Sequence, residues 1–307
     1  MSDQPPKTRE EIEDLLDKHL PHGTAHVAAM EQAVRAADAI HDDPLSYEAR
    51  TRLIEAAFFG GSPEKGVVAF AWCVAKSDED PIAFPESDSF FGVDLLWMFK
   101  WIAQHLHSYP QVTRAQVEAT LADMEVRYAR HGHSLRPVHA LRAHAALELD
   151  GDVERARELL QQFRWAKRDR YADCAACEDH STVDFFVKLQ EYDKAFEAAE
   201  PLLSGARSCA EIPHETYACL LAPARALGKD EEAERLHKIG LPMIIGNPDF
   251  VRHLAYHLDH LTLTGARDAA RELVPKQIEW AMNSQNLGAR MWAFSSLRLF
   301  FESEQGA

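Results

Sequence analysis

Four residues of the chain are of types that bind metal ions, and they occur as two short pairs. Cys174 and Cys177 form a Cys-x-x-Cys pair, and Cys209 and His214 form a Cys-x-x-x-x-His pair. Zinc prefers four soft or borderline ligands in a tetrahedron, and proteins often supply them as two pairs of this kind. The types and spacing therefore predict a structural Zn²⁺ site with three cysteine ligands and one histidine ligand.

Other interpretations of these residues remain open. A Cys-x-x-Cys pair at a helix start has a lowered thiol pKa and can serve as a redox centre, although the βαβ setting of thioredoxin-like proteins is absent here. The simplest alternative is a set of unrelated buried or surface thiols. His180, three residues after Cys177, is a rival of His214 for the fourth ligand position. Cys73 and Cys219 lie in apolar stretches and are predicted to be buried.

The composition limits the class of protein. The chain has 307 residues and a formal net charge of -16, so its surface is acidic, which disfavours nucleic acid and anionic membranes as partners. No apolar stretch is long enough for a membrane span, and residues 1–20 lack the apolar core of a signal peptide. Five cysteines are an odd number for a secreted disulfide framework. These features predict a cytoplasmic protein.

The second half of the chain contains a repeated pattern, and strand signals are almost absent. Four stretches each join the end of one helix to the start of the next through a tight turn. Each places a small alanine early in its second helix, and these alanines are 39, 38 and 37 residues apart: Ala156, Ala195, Ala233 and Ala270. Such a period is typical of helical repeats. The pattern predicts an all-α, right-handed solenoid of five or six stacked helix-turn-helix hairpins.

The position of the two ligand pairs within the repeats supports a shared site. Each pair lies 18 to 24 residues before the alanine of its own repeat. Because stacked repeats bring equivalent positions next to each other, we expect the two pairs to meet at one repeat interface. The domain prediction is a charged lead-in over 1–20, a repeat array over 21–276, and a capping helix with a short tail over 277–307.

The stretch Lys188-Leu-Gln-Glu-Tyr-Asp-Lys-Ala-Phe-Glu-Ala-Ala is similar to the turn between the two helices of a tetratricopeptide repeat. The early Trp and the final Pro of that family are mostly missing, and the period exceeds the usual length of about 34 residues. Asp173-Cys-Ala-Ala-Cys, followed by Cys209-Ala-Glu-Ile-Pro-His-Glu-Thr-Tyr, resembles uncharacterised bacterial tetratricopeptide-like proteins with Cys-x-x-Cys and Cys-Ala-Glu-Val-Pro-His stretches. The resemblance implies a bacterial protein of stacked hairpins and implies no activity.

These observations predict a module that binds a protein or peptide segment in a concave groove and is stiffened by zinc. Helix phase selects six candidates for the groove: Arg142, Asp184, Lys188, Tyr217, His253 and His257. The alternative is a metal- or thiol-dependent enzyme or redox sensor that uses Cys174 and Cys177. The chain has no Gly-rich phosphate loop, Gly-x-Ser-x-Gly elbow or His-Glu-x-x-His motif, which favours a binding module over an enzyme.

Three histidines with helical spacing indicate one more possible metal site. His253, His257 and His260 lie at i, i+4 and i+7, which places them along one face of a helix. Imidazoles four residues apart on a helix can bind zinc, but the accompanying glutamate of metalloproteases is missing. The simpler interpretation is that these side chains line the inner face of the solenoid.

Overall fold

A computed structural model describes residues 6–21, 23–87, 94–284 and 286–305. Over these residues the chain contains helices and no β-strand, which confirms the all-α prediction. The α-helices are α1 Arg9–Leu16, α2 Thr24–Ala39, α3 Asp43–Phe59, α4 Pro63–Glu79, α5 Leu95–His105, α6 Arg114–Arg130, α7 Arg136–Asp150, α8 Val153–Trp165, α9 Ala175–Lys188, α10 Tyr192–Leu203, α11 His214–Cys219, α12 Leu221–Ala226, α13 Asp230–Ile244, α14 Val251–Thr264, α15 Arg267–Asn283 and α16 Leu287–Gln305. Short 3-10 helices lie at Leu106–Ser108 and Pro248–Phe250.

The chain divides into two compact units. The first comprises the described residues up to Asp150 together with Arg157–Tyr171, and the second comprises Gly151–Ala156 together with the described residues from Ala172 onward. The boundaries predicted after residues 20 and 276 stay predictions. Residues 1–5 of the predicted lead-in, and residues 285, 306 and 307 of the predicted cap, lie outside the described residues.

The first unit has an apolar core that also encloses a charged group. Leu45, Ile54 and Leu96 are fully buried in this core. The Arg127 guanidinium is only 4% exposed and donates to carboxylates from three parts of the unit, Asp78, Glu86 and Asp123, each at 2.9 Å. A buried cation is tolerated when it is paired in this way, so the network ties α4, α6 and the segment before α5 together.

Four tight turns recur along the second half of the chain. Each contains one residue in the left-handed region, and these residues are 39, 38 and 37 positions apart: Gly151 at φ 61°, Gln190 at φ 58°, Gly228 at φ 70° and Gly265 at φ 78°. Each of the four alanines singled out in the sequence follows its turn residue by five positions and is fully buried. A side chain no larger than a methyl group lets the second helix of each turn approach its neighbours closely.

The second unit arranges its helices in hairpins that carry the candidate site. Helix α9 packs against α10, α11 packs against α13, and α14 packs against α15. The first helices of these pairs also meet one another, because α11 contacts both α9 and α14, and α14 contacts α16. Leu254, Leu258 and Trp280 belong to the apolar core at the C-terminal end of this unit.

Candidate metal centre and neighbouring polar face

Three of the four predicted ligands converge in the second unit. The sulphur atoms of Cys174, Cys177 and Cys209 lie within 4.8 Å of one another. The Sγ atoms of Cys174 and Cys177 are 3.3 Å apart, and all three cysteines are free of disulfides. The expectation that the Cys-x-x-Cys pair meets Cys209 is therefore confirmed. Three thiols at this separation can bind a single metal ion.

Local structure explains how the three thiols reach one point. Cys174 is the N-cap of α9, and its sulphur accepts a hydrogen bond from the backbone N–H of Cys177 at 3.4 Å. Cys209 lies in the loop between α10 and α11, where its backbone N–H donates to the carbonyl oxygen of Ile212 at 2.8 Å. Ile212 is buried in a small apolar cluster, against which Cys177 packs. Burial of this side chain holds the loop beside the start of α9.

An ion pair adds a second attachment between the loop and α9. The Arg207 guanidinium donates to both carboxylate oxygens of Asp179, at 2.7 and 3.0 Å. Asp179 lies in the first turns of α9, two residues after Cys177, and Arg207 lies two residues before Cys209. Because both groups are partly exposed, the pair contributes at most about 1 kcal/mol to stability. Its main effect is to orient the loop.

The pKa values of Cys174 and Cys177 are shifted in opposite directions. Burial tends to raise the pKa of Cys174, but hydrogen bonds from the backbone and thiol of Cys177 and from the thiol of Cys209 lower that pKa below its ordinary value. The pKa of Cys177 is raised, first by burial and then by the neighbouring sulphur of Cys174. Cys174 is therefore the exposed and more acidic thiol of the pair, and Cys177 is the half-buried and less acidic one.

The two histidines considered for the fourth ligand lie outside the three-sulphur group. The His214 ring is parallel to the Phe250 ring, with centroids 6.0 Å apart, and its Nδ1 is buried without a hydrogen-bond partner. His180 has Nδ1 2.9 Å from the Thr216 hydroxyl and Nε2 3.3 Å from a Glu215 carboxylate oxygen. Within the described part of the chain, no fourth His, Cys, Asp or Glu donor joins the sulphurs at 4.8 Å. The identity of the fourth ligand stays a prediction.

A row of ionisable side chains crosses helices α9, α11 and α14. Glu215 on α11 lies between His180 on α9 and His253 on α14, with nearest N···O distances of 3.3 and 3.8 Å. Burial opposes ionisation of Glu215, but the two imidazoles lower its pKa to about 2. Burial lowers the pKa of His253 to about 4, despite the nearby carboxylate. The carboxylate is therefore ionised at neutral pH and accepts a hydrogen bond from His180.

The same three helices present further charged and aromatic groups. On α9, Lys188 donates to Asp184 at 2.5 Å. On α14, the Arg252 Nε donates to the Tyr256 hydroxyl at 2.6 Å, and the guanidinium carbon lies 5.5 Å from the centroid of the Trp292 ring. We define the polar face as the following half-buried residues of these helices: His180, Asp184, Lys188, Glu215, Arg252 and His253.

The groove candidates from the sequence occupy different environments. Asp184, Lys188 and His253 belong to the polar face. Tyr217 and His257 are buried and pack inside the second unit. Arg142 lies on α7 in the first unit, where it pairs with Glu125 at 2.6 Å and with Glu118 at 3.5 Å. Partner binding by these six residues stays a prediction.

A buried histidine cluster contains one residue that the sequence pattern does not reveal. His237 on α13 has Nδ1 2.9 Å from Nδ1 of His257, and its ring stacks on His260 at 5.0 Å. Gly240 makes room for this arrangement, because a Cβ at that position would lie 2.8 Å from Cβ of Tyr217 and 3.3 Å from the His257 ring. Burial lowers the pKa of all three histidines, so they are neutral core side chains at pH 7.

The position of His237 has only a weak signal in the sequence. It follows Ala233 by four residues and precedes Gly240 by three, which is the buried stripe of α13. This spacing does not identify the helix that the His237 side chain contacts.

No protein-family model, no curated protein and no solved structure matches this chain. Among the described helices, none combines the length and apolar character needed to cross a membrane. The arrangement of side chains is therefore the basis for assigning a function.

Proposed function

We propose that the protein is a binding module built as a right-handed, tetratricopeptide-like solenoid and stabilised by one zinc ion. Cys174, Cys177 and Cys209 bind the ion, and the ligand of the module is a protein or peptide segment. The observation that carries the proposal is the convergence of the three sulphur atoms within 4.8 Å. Zinc is the metal that structural sites rich in cysteine most often hold.

Zinc fits the donor set both in charge and in spacing. The metal requires thiolates, and Cys174 is already the most acidic of the described thiols for which a shift is resolved, because neighbouring groups donate to its sulphur. Sulphurs bound to tetrahedral zinc are about 3.8 Å apart, given bonds of about 2.3 Å. The 3.3 Å separation of Cys174 and Cys177 needs to open by only about half an ångström. Metal binding would replace the hydrogen bond between these two sulphurs.

The effect of the ion is to join the loop before α11 to the start of α9. Helix α9 supplies His180 to the polar face, and α11 supplies Glu215. A metal at their N-terminal ends fixes how one helix lies along the other, so it organises the face without belonging to it. Charges of both signs, together with Tyr256 and Trp292, suit a peptide with polar side chains. We assign the module to the cytoplasm, where thiols stay reduced.

Metal analysis of matched cysteine variants tests the proposal. Protein purified under reducing conditions is expected to contain one zinc per chain, measured by inductively coupled plasma mass spectrometry. Cys174→Ser should release the zinc, whereas Cys73→Ala, which removes a buried thiol outside the cluster, should retain it. Equal zinc content in both variants, or none in the wild type, would contradict the zinc site.

The binding role has its own experiment. The wild type and an Asp184→Ala/Arg252→Ala variant are used to capture proteins from the native host, and the captured proteins are identified by mass spectrometry. A partner retained by the wild type and lost by the variant supports the polar face as the binding surface. Equal retention of that partner by the wild type and the variant would contradict it, provided that circular dichroism shows that the variant is folded.

One observation favours a second candidate, a thiol redox centre. The exposed Cys174 has a lowered pKa, and Cys177 is 3.3 Å away to resolve a mixed disulfide. In that reaction the Cys174 thiolate attacks a substrate disulfide and releases one thiol. Cys177 then displaces the second thiol, so the two cysteines become oxidised as the substrate is reduced. Metal-free protein with a reversible Cys174–Cys177 disulfide would support this candidate over zinc.

A further inference from the structure

The metal centre has fewer protein ligands than a closed zinc site needs. Three sulphurs are close together, and across the described residues no fourth His, Cys, Asp or Glu donor lies with them. We infer that the metal-loaded site keeps its fourth coordination position open to solvent, and that this position takes an imidazole from another molecule. The inference rests on the proposed metal site and adds its external ligand.

Neither neighbouring histidine is placed to close the site. The His214 ring lies parallel to the ring of Phe250, a side chain that is 5% exposed in the core of the second unit, and it is not among the donors that lie within 4.8 Å of one another. His180 uses one ring nitrogen on Thr216 and the other on Glu215. Recruiting it would break both contacts and leave the carboxylate of the polar face without its closest donor.

The exposure of the thiols leaves room for an external ligand. Cys174 and Cys209 are both exposed, and only Cys177 is half-buried. A metal bound to these sulphurs would lie at the surface, with its free side facing solvent. Zinc held by three protein ligands with one open position is the arrangement found where ligands exchange, in contrast to closed four-ligand structural sites.

The charge of the metal-loaded site favours a neutral fourth ligand. Three thiolates and Zn²⁺ carry a combined charge of −1, and a fourth thiolate or a carboxylate would make it −2. Acidic residues flank the three cysteines in the sequence, namely Asp173, Glu178 and Glu211, and the nearby Arg207 is already paired with Asp179. An additional anion would therefore be repelled. An imidazole adds a strong zinc ligand without adding charge.

Cobalt substitution of the full chain tests the inference. Co²⁺ replaces zinc and has visible d–d bands that respond to its fourth ligand. We expect His214→Ala to change the Co²⁺ affinity by less than twofold. Free imidazole should shift the bands saturably in both the wild type and this variant. If a blocked Gly-His-Gly peptide also shifts the bands, the donor is assigned to a histidine side chain of another protein. If only free imidazole shifts them, the donor is assigned to a small molecule.

The contrary outcomes are distinct. A tenfold or larger loss of Co²⁺ affinity in His214→Ala, or bands that do not respond to imidazole, would show a closed site and overturn the inference. A shift with 2-mercaptoethanol but not with imidazole would overturn the choice of donor. If Co²⁺ does not bind at all, the proposed metal site fails together with the inference. If Co²⁺ binds but its bands do not respond to imidazole, only the inference is contradicted.

Discussion

The turn between α12 and α13 allows a quantitative test of the hairpin geometry. Gly228 has φ 70°, and a Cβ built at this position meets no atom within 4 Å. Gly228→Ala therefore introduces backbone strain and no clash. The left-handed conformation costs an alanine about 1–2 kcal/mol, and the less flexible unfolded chain returns about 0.4–1 kcal/mol. We expect a net loss of about 1 kcal/mol in the free energy of unfolding.

The equivalent turn between α9 and α10 predicts the opposite sign. Gln190 adopts φ 58° and is exposed, so it bears this strain without compensating burial. Gln190→Gly should relieve about 1–2 kcal/mol of strain and lose about 0.5–1 kcal/mol to the more flexible unfolded chain. The expected net change is a gain of about 0.5 kcal/mol. Two turns at equivalent places thus respond in opposite directions.

Urea unfolding of the metal-free protein measures both changes without a contribution from the metal site. Gly246→Ala serves as the control, because Gly246 lies outside the left-handed region and also has no atom within 4 Å of a built Cβ. It should raise the stability by about 0.4–1 kcal/mol, because the unfolded chain becomes less flexible and no backbone strain opposes this gain. Equal effects of Gly228→Ala and Gly246→Ala, or destabilisation by Gln190→Gly, would refute the turn geometry described here.

Cys209→Ser is expected to lower the melting temperature of zinc-loaded protein by several degrees and to leave that of chelator-treated protein unchanged in calorimetry. An equal loss in both states would contradict the metal site. In metal-free protein, iodoacetamide at pH 8 should label Cys174 before Cys219, which is buried and has a raised pKa, as followed by mass spectrometry. Equal labelling rates would argue against the lowered pKa of Cys174. Burial lowers the pKa of His237 to about 4. Its unfolded form therefore binds a proton below pH 6.5 that the folded form does not bind. The contribution of His237 to stability should be constant above pH 6.5 and fall by up to about 3 kcal/mol between pH 6.5 and 4. The other buried histidines with lowered pKa values, such as His253, add their own losses over the same range. His237→Asn should remove this share and so reduce the slope of stability against pH in urea unfolding, and an unchanged slope would contradict the assignment.

The helices and turns could be predicted from sequence because their causes are local. A glycine in the left-handed region, followed five residues later by an alanine, marks three of the four turns. The fourth turn uses Gln190 in place of glycine, yet the alanine after it keeps the same register. Handedness and the packing of one hairpin on the next depend on many distant contacts, so the spacing of these markers is not sufficient to predict them.

The convergence of the three cysteines was predictable from the sequence, and the position of His214 was less so. Cys174 and Cys177 share one helix start, and register placed Cys209 beside them. The direction of the His214 ring depends on Phe250, which comes from a later hairpin and has no signature in the sequence near the motif.

The histidines of α14 show a second limit of sequence patterns. His253, His257 and His260 share a helix face, but a rise of 1.5 Å per residue separates the first and last by about 10 Å along the axis. His253 consequently meets Glu215 on α11, whereas His257 and His260 meet His237 on α13. A helix face identified by periodicity can contact more than one neighbouring helix. The sequence does not show at which residue the contacts pass from one neighbour to the next.

X-ray absorption spectroscopy at the zinc edge, on protein isolated without added metal, tests the central claim most directly. Three sulphur atoms at about 2.3 Å and one nitrogen or oxygen atom at about 2.0–2.1 Å are the expected shell. Protein that contains no zinc, or zinc whose shell has no sulphur, would contradict a metal centre at Cys174, Cys177 and Cys209.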